Sequence, residues 1–96
     1  MENQEITGYT LVMTCGACPE QYDVFDSNGK QVGYLRLRYG KFKVWYPDVI
    51  VEGGKIIYQH AFEDDWKGIF HDDEEREFFL TEAVKALQNY IETTKE

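Results

Sequence analysis

Cys15 and Cys18 flank Gly16-Ala17 in a CxxC spacing. That spacing serves zinc chelation and dithiol–disulfide cycling. A structural zinc takes four ligands, and the other soft donors in the chain are His60 and His71. Those two would have to be gathered across a sheet, so a Cys15/Cys18 metal site ranks third among the readings. Thioredoxin-type chemistry places its first cysteine at a helix N-terminus, whereas the residues after Cys18, PEQYDVF, read as a strand. The plainer reading is a β-turn whose cysteines are inert or loosely paired.

A second group is cationic. Residues 30–46 hold five bases and no acid, and Arg36, Arg38, Lys41 and Lys43 are four of them. Such cations bind phosphates, and Tyr34, Trp45 and Phe25 beside them could stack on bases, which makes a nucleic-acid-binding sheet the alternative function. No RNP motif accompanies them, and a net charge of -8 disfavours nonspecific polyanion binding. The plainer reading is a solvated sheet face, or one covered by a partner or by a second copy of the chain, a homodimer.

The third group is acidic. Residues 63–75 hold seven acids against Lys67 alone, with Glu63-Asp64-Asp65 and Asp72-Asp73-Glu74-Glu75 surrounding Trp66, Ile69 and Phe70. Carboxylates interleaved with aromatics can engage a basic protein surface, with charge steering the encounter and salt weakening it. The plainer reading is a solvated loop and a helix-capping run. The order of acids does not match an EF-hand calcium loop and lacks its central glycine. Glycine-rich phosphate loops, nucleophile elbows and HExxH are all missing. His60 shares a strand face with Ile56, Tyr58 and Phe62 and reads as a packed or edge histidine. No enzymatic activity and no cofactor are expected.

The elements that must position these groups are legible from periodicity and turn chemistry. Strands are expected at about 9–14, 21–26, 31–39, 41–52 and 55–62, and a helix at about 72–93. A two-residue loop at Gly16-Ala17 would set Cys15 opposite Cys18, Leu11 opposite Tyr22 and Tyr9 opposite Val24. A type I′ turn at Asn28-Gly29 would pair Phe25 with Val32, Asp23 with Tyr34 and Tyr22 with Leu35. Gly40 marks the next turn, and either neighbouring two-residue loop keeps every side chain on its face. Leu35, Leu37, Phe42, Val44 and Tyr46 then share the inner face, and Tyr34, Arg36, Arg38, Lys41, Lys43 and Trp45 the outer one. Pro47 interrupts the fourth strand, and a turn at Gly53-Gly54 would bring Glu52 opposite Lys55. Asp72 N-caps the helix with Glu75 completing a capping box. Leu80, Ala83, Val84, Leu87, Tyr90 and Ile91 form the helix's apolar stripe, widened by Phe79 and Ala86.

The chain has 96 residues, of which 43% are hydrophobic and 16% aromatic. That supports one folded domain over 1–96 and excludes a disordered chain. The expected architecture is α+β: a five-stranded antiparallel β-meander with one long C-terminal helix packed on one face. No apolar run has the length of a membrane span, and the acidic Met1–Glu5 segment lacks the regions of a signal peptide. A cytoplasmic location and no membrane partner are expected.

The stretch QYDVFDSNGKQVGYLRLRYGKFKVWYP, residues 21–47, resembles segments of small uncharacterised proteins of bacterial phages and mobile elements. The resemblance implies an accessory role in a bacterial or phage cytoplasm and transfers no activity and no functional residue. The leading expectation is a noncatalytic protein-binding module. Its contact residues are Asp64, Asp65, Trp66, Asp72, Asp73 and Glu74, with Tyr34 and Trp45. In its most concrete form it inhibits a host nucleic-acid enzyme, carboxylates standing in for phosphates.

Overall fold

Strand alternation persists to residue 61 and helical periodicity takes over after residue 72. The computed structural model, which describes residues 3–16, 19–48 and 54–94, is accordingly α+β. Six antiparallel strands form a sheet in sequence order: β1 (Asn3–Ile6), β2 (Tyr9–Gly16), β3 (Glu20–Phe25), β4 (Gln31–Arg38), β5 (Lys41–Tyr46) and β6 (Lys55–Ala61). One helix, α1 (Asp73–Thr94), follows and packs on one face.

The meander has one strand more than the sequence pattern predicts. β1 is short and mostly polar, so it carries little alternation. It joins β2 through Thr7 and Gly8, at φ 46° and 89°. A β-branched residue rarely adopts positive φ, so Thr7 gives no warning of a hairpin turn. Ile6 and Tyr9 face each other there and pack against the core.

Three registers differ from expectation, and the first of the differences preserves the faces. Leu11 pairs with Val24 and Met13 with Tyr22, two residues from the expected offset, and a bulge between Met13 and Cys15 then sets Cys15 opposite Gln21. Even shifts keep side chains on their faces, so Leu11, Tyr22 and Val24 remain core. Cys18 lies outside the described residues. In the next hairpin Asp23–Tyr34 and Tyr22–Leu35 pair as expected, but a bulge pairs Phe25 with Gln31, not Val32. The cause is the turn. The Asp26 carboxylate accepts bonds from the Asn28 and Lys30 amides at 2.9 and 3.0 Å. Only Gly29, at φ 83°, is left-handed there, as in a type I turn followed by a glycine bulge. In the last hairpin a bulge between Val44 and Trp45 sends Ile56 to the outer face opposite Trp45, while Ile57 packs against the core. His60 therefore shares its face with Tyr58 and Phe62 but not with Ile56. Strand β5 stops at Tyr46, before the cis Tyr46–Pro47 bond. The expected strand continuation at 49–52 and the Glu52–Lys55 pair lie outside the described residues.

Tyr39-Gly40 forms the β4–β5 turn with both residues left-handed, at φ 52° and 74°. The face assignment stands: Leu35, Leu37, Phe42 and Val44 are buried against Leu80, Ala83, Val84 and Leu87 of the helix. Gly33 lets the helix come close, since a Cβ there would lie 2.5 Å from Leu87 Cδ1. The helix start is capped by Asp72, whose Oδ1 accepts the Glu75 amide at 2.8 Å. The return bond is displaced by one residue: Glu75 Oε1 accepts the amide of His71 at 2.7 Å.

At this end the core is aromatic. Phe42 meets Phe70 at 5.4 Å and Phe79 at 6.0 Å, and Phe62 meets Phe79 at 5.1 Å. These rings pin the 63–71 loop across one end of the sheet. Backbone bonds fasten it further, from Gly40 N–H to Lys67 O, Phe62 N–H to Gly40 O and Glu20 N–H to Gly68 O, each 2.8 Å. Among the described residues no helix is long and apolar enough to cross a membrane.

Candidate functional site

The loop so fastened presents its acids outward. Trp66 is 80% exposed and Ile69 45% exposed, between the exposed carboxylates Glu63, Asp64 and Asp65 and those of Asp72, Asp73 and Glu74. Three of these acids also hold local structure. Asp64 Oδ1 accepts the Trp66 amide at 2.9 Å, Asp72 caps the helix, and Asp73 meets Arg76 at 2.6 Å. Asp65 and Glu74 carry no such bond to any described residue. Lys67, the segment's cation, is engaged by Glu75 at 3.0 Å. Burial works against the Glu75 charge, but the His71 amide and the Lys67 ammonium outweigh it and hold its carboxyl below the ordinary value.

The opposite sheet face carries the cations. Arg36 stands directly across from Lys43, and Arg38 from Lys41. Together with Tyr39 these four line a concavity of about 240 Å³. Among the described residues none of the four has a carboxylate within 4.0 Å. Tyr34 and Trp45 lie on this face too, but each is only 9% exposed. Their rings pack at 5.5 Å, Arg36 covers Trp45 at 5.0 Å, and the Tyr34 hydroxyl donates to the Gln21 side-chain carbonyl. Burial raises the Tyr34 hydroxyl pKa, with Arg36 opposing it. Neither ring is therefore the open stacking platform the alternation suggests. The exposed aromatic here is Tyr39, 59% exposed, which stacks under Arg38 at 4.8 Å and meets Trp66 edge-on at 6.4 Å. The sequence pattern does not single out Tyr39, because it occupies a turn position.

Asp23 sits beside this face without forming an ion pair to its cations. Burial, reinforced by the charge of Asp48, raises its carboxyl above the ordinary 3.8, and a 3.3 Å bond from Gln31 Nε2 offsets part of this. An acid whose folded pKa is raised contributes stability that is full below its unfolded value and lost as pH climbs through the folded one. Near neutrality, ionised Asp23 costs stability. Asp23→Asn is expected to raise the melting temperature at about pH 7 and leave it unchanged at about pH 3. A variant melting below wild type at neutral pH would contradict this.

Among the described residues the buried charged side chain is Glu20, 1% exposed. Its carboxylate is met by Arg76 Nε at 2.6 Å, the Tyr22 hydroxyl at 2.5 Å and the Phe70 amide at 3.1 Å. The Glu20 bond raises the Arg76 pKa above its ordinary value, and burial drives the Tyr22 hydroxyl well above its own. The signal was present in the sequence: Glu20 alternates with Tyr22 and Val24, and Arg76 precedes Phe79 and Leu80 by helical spacing. A concavity of about 340 Å³ borders this network between β1–β3 and the helix start, but its guanidinium is already committed to Glu20 and Asp73.

The expected metal pair is half visible. Cys15 is partly buried, and no three His, Cys, Asp or Glu among the described residues are grouped to hold a metal. His60 packs on Phe62 and Phe79 at 4.7 and 4.8 Å, and His71 lies beside Asp72. The molecule is thus an α+β meander with an acidic, tryptophan-bearing end and a cationic sheet face. Compared with protein-family models, with curated proteins and with solved structures, the chain gives no match.

Proposed function

We propose that this chain is a noncatalytic module that captures a basic protein surface through the 63–75 segment. The observation that carries the reading is Trp66: a large ring left 80% exposed directly after Glu63, Asp64 and Asp65. Exposed aromatics are frequent anchors of protein interfaces, and a rim of one charge steers the complementary partner. The fastening of the loop to Gly40 and Glu20 preorganises it, which lowers the entropic cost of binding. In its most concrete form the partner is a nucleic-acid enzyme whose substrate groove accepts these carboxylates in place of phosphates. Tyr34 and Trp45 are covered by their neighbours and drop out of the contact set.

The test is affinity capture with variants that keep the loop. Asparagine caps helices and closes Asx turns as aspartate does, so Asp64, Asp65, Asp72 and Asp73 are all replaced by Asn. That variant is expected to retain the wild-type fold and to lose at least about tenfold in affinity for the captured protein, as Trp66→Ala should by itself. Capture by wild type should weaken as salt rises. Undiminished capture by both variants would eliminate the segment as the contact surface.

A further inference from the structure

We propose that the concavity on the outer face of β4 and β5 is a second site, adjoining the acidic segment at Trp66, and that it binds a compact nucleoside phosphate. Arg36, Arg38, Lys41 and Lys43 would hold the phosphates while Tyr39, backed by Trp66, takes the base. The ligand is a free nucleotide or the phosphorylated end of a nucleic acid strand, which present the same chemistry.

The cations of this hairpin repel one another. Like charges directly opposite each other on neighbouring strands are destabilising, and this hairpin carries two such pairs in succession, Arg36–Lys43 and Arg38–Lys41. The flanking strands do nothing to relieve them. Gln21 stands next to Arg36, Gln59 next to Lys43 and Ala61 next to Lys41. The chain has 18 acids, yet among the described residues none is placed within ion-pair distance of these cations. A bound phosphate would replace the repulsion with attraction.

The β4–β5 turn is conformationally strained as well. Tyr39 occupies a left-handed position, φ 52°, in a turn that favours Asn, Asp or Gly. A bulky residue there is an outlier, and strain held at such a position points toward function. The strain yields no burial, because the ring stays 59% exposed. It stands instead on the wall of the cationic concavity, stacked on Arg38 and touching Trp66.

The size and surroundings of the concavity favour a compact ligand. The concavity, about 240 Å³, is slightly smaller than the roughly 300–1,000 Å³ of small-ligand pockets. A long polyanion leaving it past Tyr39 would meet the exposed acids of the 63–65 loop, which packs directly on Gly40. A short ligand is held within the local cationic field, since charges beyond about 8–10 Å are screened at physiological salt.

Calorimetric titrations at low salt with adenosine triphosphate, inorganic tripolyphosphate, polyglutamate, and an octanucleotide with and without a 5′-phosphate provide the test. The nucleotide is expected to bind about tenfold more tightly than tripolyphosphate, because one base stacks. Lys41→Gln/Lys43→Gln should lose both ligands while melting no lower than wild type, since it removes both like-charge pairs. Tyr39→Asn should erase the preference for the nucleotide, keep tripolyphosphate binding, and melt at or above wild type. A 5′-phosphorylated octanucleotide that outbinds both the free nucleotide and its unphosphorylated counterpart identifies a strand end; the reverse order identifies a free nucleotide. The proposal is overturned if neither nucleotide nor tripolyphosphate binds, if the two bind equally, or if polyglutamate binds as well as the nucleotide. None of these outcomes bears on protein capture by the acidic segment.

Discussion

Arg76→Met is expected to destabilise the protein by about 3–5 kcal/mol, the range seen when one partner of a buried ion pair is removed. Glu20 has no exposed side-chain surface. Without the guanidinium it keeps only the Tyr22 hydroxyl and the Phe70 amide to stabilise its charge. The contact of Arg76 with Asp73 adds little, because that carboxylate is fully exposed. Glu20→Gln/Arg76→Met provides the control. The glutamine oxygen can still accept from Tyr22 and Phe70 and carries no charge to strand, so the double variant is expected to be more stable than Arg76→Met alone. Urea denaturation of the wild type, both single variants and the pair closes the cycle. Loss of less than about 1 kcal/mol in Arg76→Met would show that Glu20 does not behave as a buried charge. The effect should also be local, because Glu20 ties the loop through both its backbone and its carboxylate. Amide exchange at Phe70 is expected to accelerate in Arg76→Met before the rest of the sheet is affected.

Gly40→Ala should cost about 3 kcal/mol or more through two additive effects. Alanine resists the left-handed backbone by about 1–2 kcal/mol, and Gly40 sits at φ 74°. Its Cβ would also lie 2.4 Å from the Asp64 carbonyl oxygen and 2.9 Å from the Asp65 Cα. Both are backbone atoms, so no rotamer change relieves the clash, and the 63–68 loop must lift from the hairpin. Gly29→Ala isolates the first effect. Gly29 is left-handed at φ 83° with nothing within 4 Å of its would-be Cβ, so that variant should lose only the conformational part. Equal destabilisation of the two variants would show that the loop does not press on Gly40. Lifting the loop displaces Trp66, so Gly40→Ala is also expected to weaken partner capture while Gly29→Ala leaves it unchanged.

These two sites separate what local sequence pattern specifies from what packing specifies. The inner and outer faces of β4 and β5 were legible because any two-residue turn near Gly40 shifts register by an even number. The helix was legible because Leu80, Ala83, Val84 and Leu87 repeat at helical spacing over a capped start. β1 was not, because four mostly polar residues carry no strong alternation and Thr7 is an unusual turn residue. The bulges at Met13–Cys15, Val24–Phe25 and Val44–Trp45 were hidden for a related reason. A single extra residue is chosen by how neighbouring strands and turns close, and local propensity barely registers it.

The candidate sites divide along the same line. Residue order alone placed the cations on one sheet face and gathered the acids around Trp66. Which aromatics are open and which are covered depends on neighbours far apart in the chain. Gln21 and Arg36 cover Tyr34 and Trp45, and a loop 24 or more positions away settles beside Tyr39. The pairing of Glu20 with Arg76, 56 positions apart, belongs to the same class. Periodicity is a property of adjacent residues and survives in the sequence. Burial, charge pairing and close backbone approach are properties of the packed chain, and only the tertiary structure decides them.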